Sequence, residues 1–250
     1  MTSSDRPAPV VRDYYDTVAA DWDRTYGAAR QNSHFASRWR RELEHALEPV
    51  RGAAVALELG AGTGAYVAVT APFFGRLVAT DLSEGMLDVF RARLSGLALP
   101  NVELRQLDAM TLDGIADSSV DVIYSLGLLE TLPDLGVHMR ACARALKSGG
   151  TVIGLTSNGD CPWYALRWRL QGGSRHGRQQ ALARPSSLRR DLGAAGFVDA
   201  RLRTWGVVPP GMSDGAAARA LAAIEPLVEA TPLRRWLGVM TFTATKAPQP

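Results

Sequence analysis

The chain is poor in lysine, cysteine and histidine. Its only lysines are Lys147 and Lys246, its only cysteines Cys142 and Cys161, and its histidines His34, His45, His138 and His176. Two thiols cannot close a zinc site without histidine help, and no histidine stands at metal spacing from them. The expectation is no metal, and two reduced thiols in a cytosolic protein. The 28 Lys+Arg are almost all arginine, which GC-rich codons favour and which points to a high-GC bacterial genome. Against 25 Asp+Glu they leave a net charge of +3, too small an imbalance to require a nucleic-acid partner. Long hydrophobic runs are also missing. The most apolar long stretch, 53–74, is broken by Glu58, Pro72 and several glycines, so no transmembrane segment is expected. The first residues lack the basic and apolar regions of a signal peptide, which makes a cytoplasmic location the expectation. With 250 residues and 46% hydrophobic content, the chain suffices for a single large domain with a full core.

What is present is an alternation. Residues 1–8 read as a disordered tail. Tyr14, Tyr15, Val18, Ala19, Trp22 and Tyr26 recur at three- and four-residue steps, one face of a helix over Val11–Gly27. Phe35, Trp39, Leu43 and Leu47 mark a second helix over Ser33–Leu47, with Pro49 just beyond. Strands are then predicted at Val55–Leu59, Arg76–Asp81, Asn101–Leu107, Val120–Ser125 and Thr151–Thr156. Helices are predicted between them at Thr63–Phe73, Glu84–Leu94 and Asp134–Leu146. Strand–helix alternation of this kind implies right-handed crossovers and a parallel sheet covered on both faces. After 156 the rhythm changes: a helix over Ser186–Ala195 stopped by Gly196, a strand from Phe197, an alanine-rich helix over Ala216–Ala230 containing Pro226, and a last strand Val239–Lys246.

The stretch Val55–Gly64 ends an apolar strand on Glu58 and then places glycines at 60, 62 and 64. Glycine lets a backbone turn sharply and approach a ligand without Cβ interference. A helix starting at Thr63 would add its first N–H groups to the same crevice. Gly60, Gly62 and Ala65 also satisfy Gly-x-Gly-x-x-Ala, so this motif alone leaves a dinucleotide-binding dehydrogenase open. A second acid, Asp81, ends strand two; it suits either a ribose or the capping of the next helix. Asp108-Ala109 follow strand three at the same sheet edge. Leu146-Lys147-Ser148-Gly149-Gly150 precede strand five.

In this order, these stretches resemble the class I S-adenosylmethionine-dependent methyltransferases, especially their small-molecule branch. The resemblance spans roughly residues 10–206 and is most specific from Val55 to Thr156. It includes the Tyr15-Asp16 and Trp22-Asp23 pairs of the N-terminal helices. The resemblance implies an α/β, doubly wound, seven-stranded and mostly parallel sheet with N-terminal helices and C-terminal insertions, the strand Val239–Lys246 running antiparallel. It divides the single domain into cap helices (10–50), a cofactor-binding core (53–156) and substrate-side insertions (157–184 and 209–237). It also implies S-adenosylmethionine as cofactor. Glu58 would orient the methionine ammonium, with Gly60, Ala61, Gly62 and Gly64 allowing close backbone approach. Asp81 would accept from the ribose hydroxyls, Leu82 and Met86 would flank the adenine, and Asp108 with Ala109 would hold its edge. Ser125 and Leu126 would line the sulfonium side.

Methyl transfer from a sulfonium is an in-line displacement, so alignment and water exclusion matter most. A base helps only when the acceptor must lose a proton. Relatives often carry Leu-Glu-His after strand four; here it is Leu129-Glu130-Thr131, and a threonine is no base at neutral pH. Tyr14, Tyr15 and His138 are the catalytic candidates, with Tyr26 and His34 considered beside them and core packing as the competing role. Between Cys161 and Arg203 nine arginines stand against Asp191 and Asp199, interleaved with Trp163, Tyr164 and Trp168. A solvated basic lid, an anionic or lipid-like surface and an RNA contact compete there. The absence of an Asn/Asp-Pro-Pro-Tyr signature after Val122-Ile123-Tyr124 weighs against nucleic acid. The expected partner is a small hydrophobic or aromatic methyl acceptor, with peripheral membrane contact as a further possibility.

Overall fold

The computed structural model describes residues 8–26, 32–164, 166, 182–209 and 211–248. Seven strands form one sheet: β1 (Ala53–Leu59), β2 (Phe74–Asp81), β3 (Val102–Gln106), β4 (Val120–Leu126), β5 (Leu146–Ser157), β6 (Phe197–Trp205) and β7 (Val239–Lys246). Their spatial order is β3-β2-β1-β4-β5-β7-β6. The first five are parallel, and β7 inserts antiparallel between β5 and β6. This is the mostly parallel, doubly wound architecture expected of the chain. Around it lie α1 (Ala8–Val18), α2 (Trp22–Tyr26), α3 (Ser33–Leu47), α4 (Val67–Thr70), α5 (Glu84–Leu94), α6 (Leu135–Ala145), α7 (Pro185–Ala194) and α8 (Ala216–Glu229).

Strand alternation builds two apolar layers. On β1, Leu57 and Leu59 pack with Ile123, Met139, Cys142 and Leu188. Ala56 packs on the opposite face with Leu77, Tyr124, Phe90 and Leu47. A parallel sheet has to be covered on both faces in this way. Three helices begin on side-chain caps. Asn32 accepts from the N–H groups of His34 and Phe35 (2.9 and 3.3 Å), Ser83 from Met86 (3.1 Å) and Asp134 from Val137 (2.9 Å). Ser83 therefore caps α5, and Asp81 is free of that duty.

Three local expectations are corrected. The predicted helix over Thr63–Phe73 shrinks to α4 and a 3₁₀ turn at Ala71–Phe73. Gly60, Gly62 and Gly64 have φ of 67°, 57° and 71°, left-handed values that no helix accommodates, so the loop continues to Tyr66. Along Val11–Gly27, a 3₁₀ turn at Ala19–Asp21 divides α1 from α2, and Gly27 lies outside the described residues. Gly149-Gly150 does not precede β5 but lies within it, at a register shift opposite Val120–Val122. Gly149 has φ 75°, and a Cβ at Gly150 would sit 2.9 Å from the Lys147 carbonyl and 3.0 Å from that of Asp121. Two glycines let the strand bulge there.

The tail 1–7, and Trp168, Gly172, Gly173 and the arginines at 167, 169, 175 and 178, lie outside the described residues.

Candidate functional site

The sheet order reverses between β1 and β4. Open α/β sheets bind ligands at the carboxyl ends of the strands beside such a switch point. A cavity of ≈ 360 Å³ opens there. Glu58, Gly60, Ala61 and Gly62 from the end of β1 line it, with Asp81, Leu82 and Met86 from β2–α5, Asp108 and Ala109 beyond β3, and Leu126 from β4. The tertiary structure thus gathers most of the predicted site residues around one space.

Two of its acids, Glu58 and Asp81, are perturbed by burial. Glu58 is buried, and its Oε2 accepts from the Tyr124 hydroxyl at 2.9 Å. Burial pushes its pKa from 4.5 to about 7; the Tyr124 bond pulls it down and the nearby Asp81 charge pushes it further up. Asp81 is also raised, chiefly by burial, although backbone N–H groups work against the shift. Its Oδ2 accepts from Gly62 N–H at 2.8 Å and its Oδ1 from Ser83 N–H at 2.9 Å. One carboxylate therefore ties the glycine loop to the start of α5. Each of its oxygens keeps a lone pair for a ligand hydroxyl.

The N-terminal helices close one side. Tyr15, Trp22 and Asp23 line the cavity, together with Val11. Asp16 Oδ1 accepts from the Ser83 hydroxyl at 2.5 Å and from Gly85 N–H at 3.0 Å. Asp23 accepts from the Thr63 hydroxyl at 2.6 Å and pairs with Arg93. Two acids of the cap are thus fastened to the glycine loop and to α5.

Other predicted residues lie elsewhere. Gly64 is packed against Phe90, whose ring a Cβ would overlap. Ser125 is buried beside Leu59 in the sheet, one position short of the cavity wall. Tyr14 stands edge-on to Tyr15 (5.3 Å between centroids, 82°), outside the wall. His138 is placed behind the wall: it is 2% exposed, with Nδ1 2.7 Å from the Ala109 carbonyl. Since a carbonyl only accepts, Nδ1 carries the proton, and burial pushes the ring's pKa down, favouring the neutral form. Its position braces the Asp108–Ala109 turn and does not reach the cavity. His34 is bonded to Glu225 at 2.7 Å, and the Tyr26 side chain lies outside the described residues.

Comparisons with known proteins identify the family. Residues 57–154 match the family model described as a methyltransferase domain. Malonyl-[acyl-carrier protein] O-methyltransferase of Methylococcus capsulatus is 30% identical over 206 residues, covering 78% of this chain and 73% of the relative. The chain belongs to the class I S-adenosylmethionine-dependent methyltransferases. Demethylmenaquinone methyltransferase of Clavibacter sepedonicus is 36% identical over 140 residues, covering 56% of this chain and 54% of that protein. Among solved structures, phosphoethanolamine N-methyltransferase 2 of Haemonchus contortus, in complex with S-adenosyl-L-methionine, aligns with a TM-score of 0.65 at 17% identity. That alignment covers 96% of this chain and 60% of the other.

The residues of this methyltransferase fit its methyl donor. A sulfonium cation beside an ammonium is matched by two acids, the buried Glu58 and the half-buried Asp81. Gly60 leaves room where a Cβ would come within 2.8 Å of Leu128. Sequence reasoning missed Trp39, Tyr66 and the wall residues Gly127, Leu128, Leu132 and Pro133. Trp39 had a signal only as one more apolar residue on the face of α3, where it packs 5.9 Å from Trp205. Thr131 reaches the wall, but its hydroxyl donates to the Leu128 carbonyl at 2.8 Å. Glu130 turns away and accepts from Thr156 and Ser157. None of the described residues of the segments 157–184 and 209–237, expected on the substrate side, lines the cavity.

Proposed function

We propose that this methyltransferase methylates a small hydrophobic or aromatic acceptor, of natural-product, quinone or lipid-like character. The carrying observation is the make-up of the cavity wall away from Glu58 and Asp81. Besides Asp108, and Asp23 whose carboxylate is taken up by Thr63 and Arg93, its side chains are mainly apolar or aromatic: Val11, Tyr15, Trp22, Met110, Leu128, Leu132 and Pro133. Such a surface favours an apolar ring or chain. The quinone-directed name of one relative supports the same class.

When bound, S-adenosylmethionine supplies a methyl carbon already activated on a sulfonium. The chain's part is to bind, orient and exclude water. Glu58 would face the methionine ammonium, while the backbone of Gly60, Ala61 and Gly62 approaches it. Asp81 would accept from the ribose hydroxyls. Leu82 and Met86 would sandwich the adenine, and Asp108 with Ala109 would hold its edge. Leu126 would border the sulfonium, with Ser125 behind it. Tyr15 would face the acceptor, with Tyr14 packed against its ring and the cap helices 10–50 closing over both ligands.

Replacing Asp81 by Ala removes the ribose acceptor and the tie to Gly62. S-Adenosylmethionine affinity is expected to fall at least about tenfold, roughly 1.4 kcal/mol, by calorimetry. Unchanged affinity would remove Asp81 from the site. The acceptor class is tested by transfer of a labelled methyl group to catechols and demethylated quinols, with malonyl-acyl carrier protein as the rival. Turnover on the aromatic acceptors is the expected result. Turnover on the carrier-bound acid alone would overturn the proposal.

A further inference from the structure

The helix α8 is turned inside out. Its two acids face the protein. Glu225 is 1% exposed and bonded to His34 at 2.7 Å and to Gly206 N–H at 3.0 Å; Glu229 pairs with Arg38 at 2.8 Å and Arg203 at 3.0 Å. The outward face is apolar. Ala223, Ile224 and Leu227 are exposed there, Leu227 to 69%, and Arg219 is the outward charge. A surface helix ordinarily shows the opposite arrangement. The 3₁₀ turn Pro232–Trp236 continues the pattern. Leu233 (50%) and Trp236 (42%), three residues apart and so on one side of the turn, are exposed beside Arg234 and Arg235. The Arg235 guanidinium lies 4.4 Å over the Trp236 ring.

We infer that this surface, α8 with the turn after it, docks on an anionic lipid membrane. Charge decides the occupant. Its outward charges are Arg219, Arg234 and Arg235, with no outward acid on either element. A two-fold contact with a second copy would bring two cationic faces together with no carboxylate on either to pair the arginines. An anionic headgroup layer pairs all three, while Leu227, Leu233 and Trp236 enter the acyl boundary. The inward acids secure the helix to α3 and β6 and leave its apolar side free. This goes beyond the acceptor proposal and does not rest on it.

The full chain is tested by co-sedimentation with vesicles of phosphatidylcholine alone and of phosphatidylcholine with phosphatidylglycerol. Binding is expected to be at least about tenfold stronger to the anionic vesicles and to weaken with salt. Leu227→Asp, and separately Arg234→Glu with Arg235→Glu, are expected to abolish the preference while S-adenosylhomocysteine affinity stays unchanged, which shows the variants folded. Equal binding to both vesicles, no binding to either, or variants that bind like the parent protein would overturn the inference. So would self-association in the ultracentrifuge, abolished by Leu227→Asp, in a protein that ignores vesicles; the second copy would then be the occupant.

Discussion

At pH 8 the ligand-free Glu58→Gln variant is expected to be more stable than the parent protein, yet to bind S-adenosylmethionine at least about tenfold more weakly. The stability half follows from burial. Glu58 has its pKa raised from 4.5 to about 7 in the folded chain, so between these values the folded state holds a proton that the unfolded state has released. Rising pH therefore removes stability across that window, the reverse of a salt-bridged carboxylate. Each pH unit is worth about 1.4 kcal/mol, so the group costs about 3 kcal/mol above pH 7. Glutamine keeps an oxygen for the Tyr124 hydroxyl and has nothing to ionise. The binding half follows from charge, because a cationic ligand prefers the ionised acid. Donor affinity of the parent protein should rise from pH 6 to pH 8, and the ligand's own amine titrates alike with both proteins. Urea unfolding and calorimetry at pH 5, 6 and 8 provide the readout. Parallel pH dependences in the two proteins would show that Glu58 does not titrate in this window.

Gly64→Ala is expected to be the more damaging glycine substitution, through packing and not through ligand binding. Its φ of 71° costs an L-residue about 1–2 kcal/mol. The new methyl would also overlap the ring of Phe90, a fully buried side chain with no room to withdraw, at about 1–3 kcal/mol more. A loss of about 3 kcal/mol should lower the melting temperature by roughly 6–12 °C in a chain of this size. Gly62 provides the contrast. Its φ is 57°, but a Cβ there meets nothing within 4 Å, and the residue faces the cavity. Gly62→Ala should therefore cost less stability and proportionally more donor affinity. If Gly64→Ala melts within 2 °C of the parent, the effect of about 0.5–1 kcal/mol at most, the packing role is wrong.

Local pattern was legible where one force dominated. The helix Glu84–Leu94 and the strand Val239–Lys246 have the boundaries their periodicity predicts, because a cap, a turn signal and an apolar face all coincide. The run Thr63–Phe73 failed because helical composition competed with left-handed glycines, and backbone sterics override propensity. His138 read as a catalytic candidate because its residue type suits proton transfer. The helix face that points it at Ala109 is set by how α6 packs, and no short motif encodes that.

Residue chemistry and order determined the layer architecture and the strand-end acids Glu58, Asp81 and Asp108, and the family resemblance those stretches carry implied the methyl donor. These are local features repeated along the chain, and a parallel sheet brings strand ends to one edge whatever the details of its packing. Only the tertiary structure decided that Gly64 packs while Gly62 lines the cavity, that Asp16 and Asp23 fasten the cap, and that α8 faces outward with its apolar side. Each depends on contacts between residues far apart in sequence, such as Asp23 with Thr63 and Glu225 with His34. Burial and pairing across such distances set both the charge on Glu58 and the direction in which each side chain works.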